Sequence, residues 1–87
     1  MELVSESSFL DLELDEITLA DDSKLIGVKV AETEAHRKHK LLVLAVRGVD
    51  AQLIFNPEAD YTFRAGDIAM VMGHVEDIKR FRTAFEL

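Results

Sequence analysis

Residues 56–73 read NPEADYTFRAGDIAMVMG, and this stretch sets where the last strand of the chain begins and ends. Pro57 fixes φ and has no N–H for a ladder, so the strand before it stops there. Gly66 can adopt a positive φ, and the short acceptor of Asp67 suits the amides of a turn. The apolar run 68–72 has the length of a buried strand. We therefore predict a structural turn, built on Pro57, Gly66 and Asp67, that leads into this strand.

The alternation of apolar residues near the N-terminus changes phase. Leucines at every second position over 10–14 alternate with acidic residues, and Ile17 and Leu19 continue in the opposite phase. A strand with period two can change phase only through a bulge or a break. We therefore predict a strand over this region with an irregularity near Asp15 and Glu16.

The middle of the chain contains one helical segment and two strands. Gly27 weakens any long helix, so we expect a tight turn there and a short helix at about 29–36. The run 41–46 is apolar without alternation, which is typical of a central strand covered on both faces. A short connection over 47–51 then leads to the apolar run 52–55, which predicts a hairpin with a loop of about four or five residues.

The C-terminal segment has helical periodicity. Val75, Ile78, Phe81 and Phe85 recur on one face, and acidic residues occupy the first turn. The predicted order is therefore β-α-β-β-β-α, an α+β fold with a small mixed sheet of about four strands and a C-terminal amphipathic helix. The serine-rich residues 1–9 have no pattern and are predicted to be a flexible lead-in to a single domain at 10–87.

Composition limits the functions open to the chain. Its 87 residues are 48% hydrophobic, contain no cysteine and have a formal net charge of −7. The absence of cysteine excludes disulfides and thiolate metal sites, and the acidic balance argues against nucleic acid as the main partner. No apolar run approaches the roughly 18 residues of a membrane span, and the first residues do not form a signal peptide.

Motifs for catalysis are missing from the sequence. Four separated glycines cannot form a phosphate-binding loop, and no serine has the setting of a nucleophile. His36 and His39 have a spacing that could bind metal, but the cationic side chains beside them would repel a metal ion. The basic run 36–40 can bind an anion or simply form a solvated helix end, and the second interpretation is favoured because no aromatic residues interleave with the charges. We predict that the chain is not an enzyme.

Several short segments occur in an order typical of one family. They are Ser23-Lys24-Leu25-Ile26-Gly27, Arg47-Gly48, Asn56-Pro57 and Phe63-Arg64-Ala65-Gly66-Asp67. Together they resemble the C-terminal domain of regulators of potassium conductance, the RCK_C or TrkA-C family, over about residues 13–86. The run 60–68 is particularly similar to that of archaeal calcium-gated potassium channels and their bacterial kin.

This resemblance implies a cytoplasmic domain that senses a ligand, forms homodimers and regulates potassium ion transport. Such domains usually follow an RCK_N lobe and act at the inner face of the membrane through a potassium channel or uptake protein. The alternative is a structural dimerisation module of an anion or carboxylate transporter, without a ligand of its own.

The resemblance also suggests two candidate ligands, Ca²⁺ and a cyclic dinucleotide. Glu16 and Asp77 occupy positions where the calcium-gated relatives carry acidic ligands, although Asn56 replaces an aspartate that would partner Asp77. Without a metal, Glu16 would be a strand-edge charge and Asp77 a residue favoured by the helix dipole. Arg47 and Asn56 are the candidates for an anionic ligand near a dimer interface, since guanidinium groups match phosphate geometry.

Overall fold

The computed structural model describes residues 11–87. The predicted lead-in at 1–9 lies outside the described residues. Four strands and two helices follow in the predicted order, which confirms the α+β class. They are β1 (Leu12–Thr18), α1 (Val30–Thr33), β2 (Leu42–Arg47), β3 (Leu53–Phe55), β4 (Ile68–His74) and α2 (Val75–Phe85).

The strands form one sheet in the order β1-β4-β2-β3. All three pairings are antiparallel, whereas the sequence predicts a mixed sheet. The reason lies in the placement of β4, which enters between the first two strands and runs opposite to both. The hairpin of β2 and β3 is confirmed, and β3 ends at Phe55, two residues before Pro57.

Strand β1 pairs with β4 in unbroken register, from Leu12 opposite His74 to Thr18 opposite Ile68. The bulge predicted near Asp15 and Glu16 is therefore wrong. The two phases of the alternation correspond to the two faces of the sheet. Leu12 and Leu14 point to one face, and Ile17 points to the other, where it is buried.

The irregularity lies instead in β2. Its register against β4 shifts between Val43 and Ala45, which leaves Leu44 as the extra residue. This shift explains why the sequence of β2 shows no alternation, since the neighbours Ala45 and Val46 are both buried although they point to opposite faces. The strand is central as predicted, but Leu42 is 50% exposed, so it is not covered on both faces.

One face of the sheet, which we call the covered face, forms the hydrophobic core. Its central residues are Ile17, Val46, Ala69 and Val71. Helix α2 covers it with Ile78 and Phe81, and the segment between β1 and β2 adds Leu19, Leu25, Ala35 and Leu41. The fold is therefore a two-layer structure in which all covering elements lie on the same side of the sheet.

The predicted turn before β4 is confirmed in detail. Gly66 has φ +85°, and its N–H donates to the carbonyl of Leu19 over 2.9 Å. The buried carboxylate of Asp67 accepts hydrogen bonds from the backbone N–H of Arg64 at 2.9 Å and from the hydroxyl of Tyr61 at 2.6 Å. Burial and this bond to Asp67 raise the pKa of Tyr61. The turn thereby fixes where β4 begins.

Helix α1 is shorter than predicted. It ends at Thr33 because Glu34 adopts a left-handed conformation with φ +54°. Turns then lead to Lys40, which also has a positive φ of +58°. The basic run 36–40 is therefore a looped segment before β2 and not the end of a regular helix.

Candidate functional site: the open face of the sheet

The second face of the sheet is apolar and exposed. The register places Leu14, Met72 and Leu42 in one row across three strands, with Phe55, Ala45 and Met70 in the adjacent row. We call the whole surface the open face. Its apolar members are Leu12, Leu14, Leu42, Ala45, Leu53, Phe55, Ile68, Met70 and Met72.

The open face remains uncovered by any element of residues 11–87. Its outer side chains, on β1, β2 and β3, are 45–75% exposed, whereas Ile68, Met70 and Met72 on the central β4 are half-buried and Ala45 is buried. Single exposed leucines are common on protein surfaces, but a contiguous apolar surface built from four strands is typical of an interaction site. The open face is therefore the main candidate for binding a second protein surface.

A shallow hollow lies beside the end of β3. It has a volume of about 300 Å³. Its lining includes Val30, Ala31, Leu41, Leu42, Asn56 and Pro57. The lining is mostly apolar and carries the amide of Asn56 and the imidazole of His36, a composition suited to the flat ring of a small organic ligand. Because Leu42 belongs to both surfaces, the hollow adjoins the open face.

The two residues predicted for an anionic ligand occupy opposite ends of the β2–β3 hairpin. Arg47 is exposed and pairs with Leu53 at the loop end. Asn56 has φ +56°, and its N–H donates to the carbonyl of Leu44. At about 3.3 Å per residue, three residues of strand separate the two positions by about 10 Å. The two side chains therefore start from backbone positions about 10 Å apart, a span that a ligand of dinucleotide size covers.

The two residues predicted for Ca²⁺ do not meet within one copy. Glu16 pairs with Met70, which assigns its side chain to the open face, while α2 lies on the covered face. Asp77 lies in the first turn of α2 and accepts a hydrogen bond from Arg80 at 2.6 Å. Residues 11–87 contain no group of three or more acidic, histidine or cysteine side chains that could hold a metal ion. The calcium site stays a prediction without geometric support in a single copy.

The histidines of the basic run do not share a face. His36 is exposed, whereas His39 is only 4% exposed and contacts the ring of Phe81. The pair therefore does not form a metal site in this fold. None of the helices described in residues 11–87 has the length and apolar composition of a membrane span.

Comparison with known proteins identifies the family. The sequence model of the TrkA-C domain matches residues 14–86, nearly the whole domain. This chain belongs to the TrkA-C (RCK_C) family. The resemblance inferred from the turn at 63–67 and the segments around it is thereby confirmed.

Solved structures with the same fold include the RCK C domain of the potassium transport protein KtrA in complex with cyclic diadenosine monophosphate (c-di-AMP). It superposes with a TM-score of 0.75 at 19% identity and covers 92% of this chain and 95% of that one. The RCK_C domain dimer of Streptococcus agalactiae BusR in complex with c-di-AMP gives a TM-score of 0.72 at 20% identity, with 84% and 95% covered.

The GsuK channel bound to NAD also contains this fold. Its TM-score is 0.72 at 21% identity, and the match covers 94% of this chain. The matched region is only 15% of the GsuK chain. At these identities the comparison establishes the fold, and the ligands named above belong to those proteins.

Sequence reasoning missed the open face. The signal for it is the alternation in β4, where Ile68, Met70 and Met72 interleave with the smaller buried Ala69, Val71 and Gly73. Read alone, this run is apolar throughout and suggests a strand buried on both sides. Only the positions of the covering elements show that one of the two apolar faces lacks a cover within residues 11–87.

Proposed function

We propose that this TrkA-C domain is a non-catalytic, dimerising ligand sensor of a potassium transport protein. The observation that carries the proposal is the open face, an apolar surface across all four strands of a domain in this family. A domain of 87 residues gains much from association, since small chains bury a limited fraction of their surface.

The proposed partner is a second copy related by a two-fold axis. A two-fold interface requires a surface that is complementary to itself. The open face meets this requirement because it is apolar over most of its area and carries one acidic and one basic position on different strands, Glu16 on β1 and Arg47 on β2. The BusR domain, which has the same fold, was solved as a dimer.

The proposed ligand is a cyclic dinucleotide at the rim of the dimer. Arg47 offers an exposed guanidinium for a phosphate, and the hollow beside Asn56 and Pro57 offers an apolar lining for a base. The similar domains of KtrA and BusR bind c-di-AMP. We assign the domain to a cytoplasmic assembly in which an RCK_N lobe and a membrane-embedded potassium channel or uptake protein read the bound state.

A second candidate is the sensor lobe of a transcription regulator. BusR as a whole was solved with promoter DNA and matches 97% of this chain at a TM-score of 0.73. The 87-residue chain has a formal net charge of −7, so another part of such a protein would contact the DNA. The sequence that precedes this domain in its parent gene distinguishes the candidates, since a channel pore or an RCK_N glycine motif supports transport and a DNA-binding motif supports transcription. A carrier of anions or carboxylates upstream would instead support the alternative of a structural module.

Dimerisation is tested by light scattering at tens of micromolar protein. We expect twice the monomer mass for the wild type. Leu42→Glu should raise the dissociation constant by about tenfold or more, because burying a leucine side chain contributes about 1.5–3 kcal/mol. The matched control is Val49→Glu, an apolar residue that is 81% exposed and lies outside the open face. A monomeric wild type, or equal weakening by both variants, would remove the open face as the interface.

Ligand binding is tested by calorimetry with c-di-AMP. Arg47→Gln should weaken binding by about tenfold or more, since hydrogen bonds to charged groups contribute about 1.5–3 kcal/mol. Arg37→Gln is the control, because the Arg37 side chain is 82% exposed and, among residues 11–87, bonds only to Glu34. Asn56→Gly deletes the side-chain amide but keeps a residue that tolerates positive φ.

The predicted calcium site is tested by a parallel titration with Ca²⁺ on the wild type and on Glu16→Gln/Asp77→Asn. Heat of binding that survives the double variant would exclude both carboxylates as calcium ligands.

A further inference from the structure

His39 is the buried histidine of the domain. Its imidazole is packed between the looped segment 34–40 and helix α2, with its ring centroid 5.3 Å from that of Phe81 and 6.4 Å from that of Phe85. The other two histidines, His36 and His74, are exposed. A proton taken up by His39 therefore enters an aromatic cluster, whereas a proton on either of the others remains in water.

The ring nitrogens of His39 have unequal surroundings. Nδ1 is out of reach of solvent, and within residues 11–87 it has no hydrogen-bond partner. A neutral imidazole with its proton on Nε2 leaves only a lone pair at this position, which is the less costly arrangement. Protonation places an N–H there without an acceptor, and an unpaired buried donor costs free energy.

The charged groups that face His39 do not reverse this preference. Helix α2 contributes Arg80 and Asp77, and the looped segment contributes Lys38 and Glu34. Burial of the ring, with the positive charges of Arg80 and Lys38, lowers the pKa of His39, while Glu34 and Asp77 act in the opposite direction more weakly. Aromatic rings can attract a cation, but here the desolvation of the imidazolium is the largest contribution.

We propose that neutral His39 is a proton-sensitive contact that holds helix α2 against the segment 34–40, and that protonation of its imidazole releases this contact. The remaining side-chain bonds of α2 to the rest of the domain are exposed or half-buried. Arg82 donates to Asp15 at 3.0 Å, and Lys24 lies 2.8 Å from Glu86 just beyond the helix. Such pairs are weak, so once the His39 contact is lost α2 is held mainly by the buried Ile78 and Phe81, while the interior strand pairings persist.

The direction of the pH effect follows from the lowered pKa. Between the ordinary value of about 6.5 and the lower folded value, the opened state binds a proton that the closed state does not. The contact is fully stable above pH 6.5 and loses stability as the pH falls below it. For one linked proton, the opening constant increases by up to about tenfold per pH unit in this window.

The experiment uses the full 87-residue chain. Hydrogen exchange of the α2 amides, corrected for the intrinsic rate, is measured at pH 7.5 and 5.5, where ordinary carboxyl groups remain largely ionised. We expect faster opening of α2 at pH 5.5, by up to about tenfold, with less change in β2 and β4. In the same samples, the NMR titration of the His39 imidazole C–H signals should show this ring ionising below the ordinary value of about 6.5.

Two variants separate His39 from other sources of pH dependence. His39→Leu fills the same place with an apolar side chain that cannot take up a proton. It should remove the difference in α2 opening between the two pH values. His36→Asn/His74→Asn changes both exposed histidines and should retain the difference in α2 opening between the two pH values.

Equal α2 opening of the wild type at pH 7.5 and 5.5 would overturn the proposal, and so would pH dependence of α2 opening that survives His39→Leu. If His39→Leu does not fold, an imidazole titration in which His39 ionises at or above the ordinary value of about 6.5 is sufficient to overturn the proposal.

Discussion

The two faces of the sheet have similar apolar composition but very different surroundings. On the covered face, Val46 and Val71 have at most 1% of their surface exposed. On the open face, Leu42 and Phe55 are 50% and 75% exposed. The same four strands supply both surfaces, so the difference does not come from the strands themselves.

The difference shows how a small α+β domain divides its apolar residues. The connection between β1 and β2 and the C-terminal helix lie on one side, and their apolar residues complete one core. The strands retain a second apolar face that would be costly to leave in water at about 25 cal/mol per Å². A face kept apolar under that cost is best explained by a partner, which is the basis of the proposed dimer.

The largest effect should come from truncating matched aromatic residues on the two sides. Phe81→Ala removes a ring that is 3% exposed beneath the covered face and should cost about 3–5 kcal/mol in free energy of unfolding. Phe55→Ala should cost less than about 0.5 kcal/mol in the isolated copy.

Urea unfolding at several protein concentrations checks this pair, since a dimer makes stability depend on concentration. The cost of Phe55→Ala should grow as the concentration rises, whereas that of Phe81→Ala should persist in dilute samples. Equal costs at the lowest concentration would show that the open face is already covered within one copy.

An intermediate effect is expected at the turn that assigns β4 residues to the two faces. A one-residue slip of β4 would exchange its faces, so the turn must be rigid. Gly66 and Gly27 both have positive φ, at +85° and +86°. A valine at either position is strained by about 1–3 kcal/mol. At Gly66 the added side chain also collides with Val49 Cγ1, whereas nothing lies within 4 Å at Gly27.

We therefore expect Gly66→Val to lower the free energy of unfolding by about 2–4 kcal/mol, about 1 kcal/mol more than Gly27→Val. The double variant Gly66→Val/Val49→Ala should recover that excess, because it removes the colliding methyl groups. Thermal unfolding of the four proteins measures these differences. An unchanged melting temperature for Gly66→Val would mean that the turn does not depend on a glycine.

The smallest effect concerns the hydroxyl that orients Asp67. Tyr61→Phe removes the 2.6 Å hydrogen bond but leaves the bond from the Arg64 N–H. The expected loss is about 1 kcal/mol, since the carboxylate retains one partner. Thr62→Ala, at the exposed neighbour, should change stability by less than about 0.5 kcal/mol. If both substitutions have the same effect, Asp67 does not depend on Tyr61 to hold the start of β4.

The local features of this domain were predictable from the sequence. The end of β3 before Pro57, the positive φ at Gly66, the amide-binding carboxylate of Asp67 and the amphipathic α2 each depend on residues that are close together in the chain. Glycine, proline and short acidic side chains restrict the backbone directly, and a period of 3.6 residues identifies a helix without knowledge of its partner. The family followed from the same short segments.

The candidate site was only partly predictable. Arg47 and Asn56 were named from the resemblance, but their separation along the hairpin depends on how β2 pairs with β3. The assignment of Glu16 to the open face depends on its pairing with Met70, 54 positions later in the chain. Pairings between distant segments are set by the whole fold, so no local pattern could report them.

The sequence by itself determined the order of the elements, their turns and the presence of two apolar phases in β1. Only the tertiary structure decided that these phases are the two faces of a regular strand, that the bulge falls at Leu44 in β2, and that His39 is buried. The physical reason is that alternation separates side chains into two sets, whereas burial depends on which side the connecting segments and α2 cover.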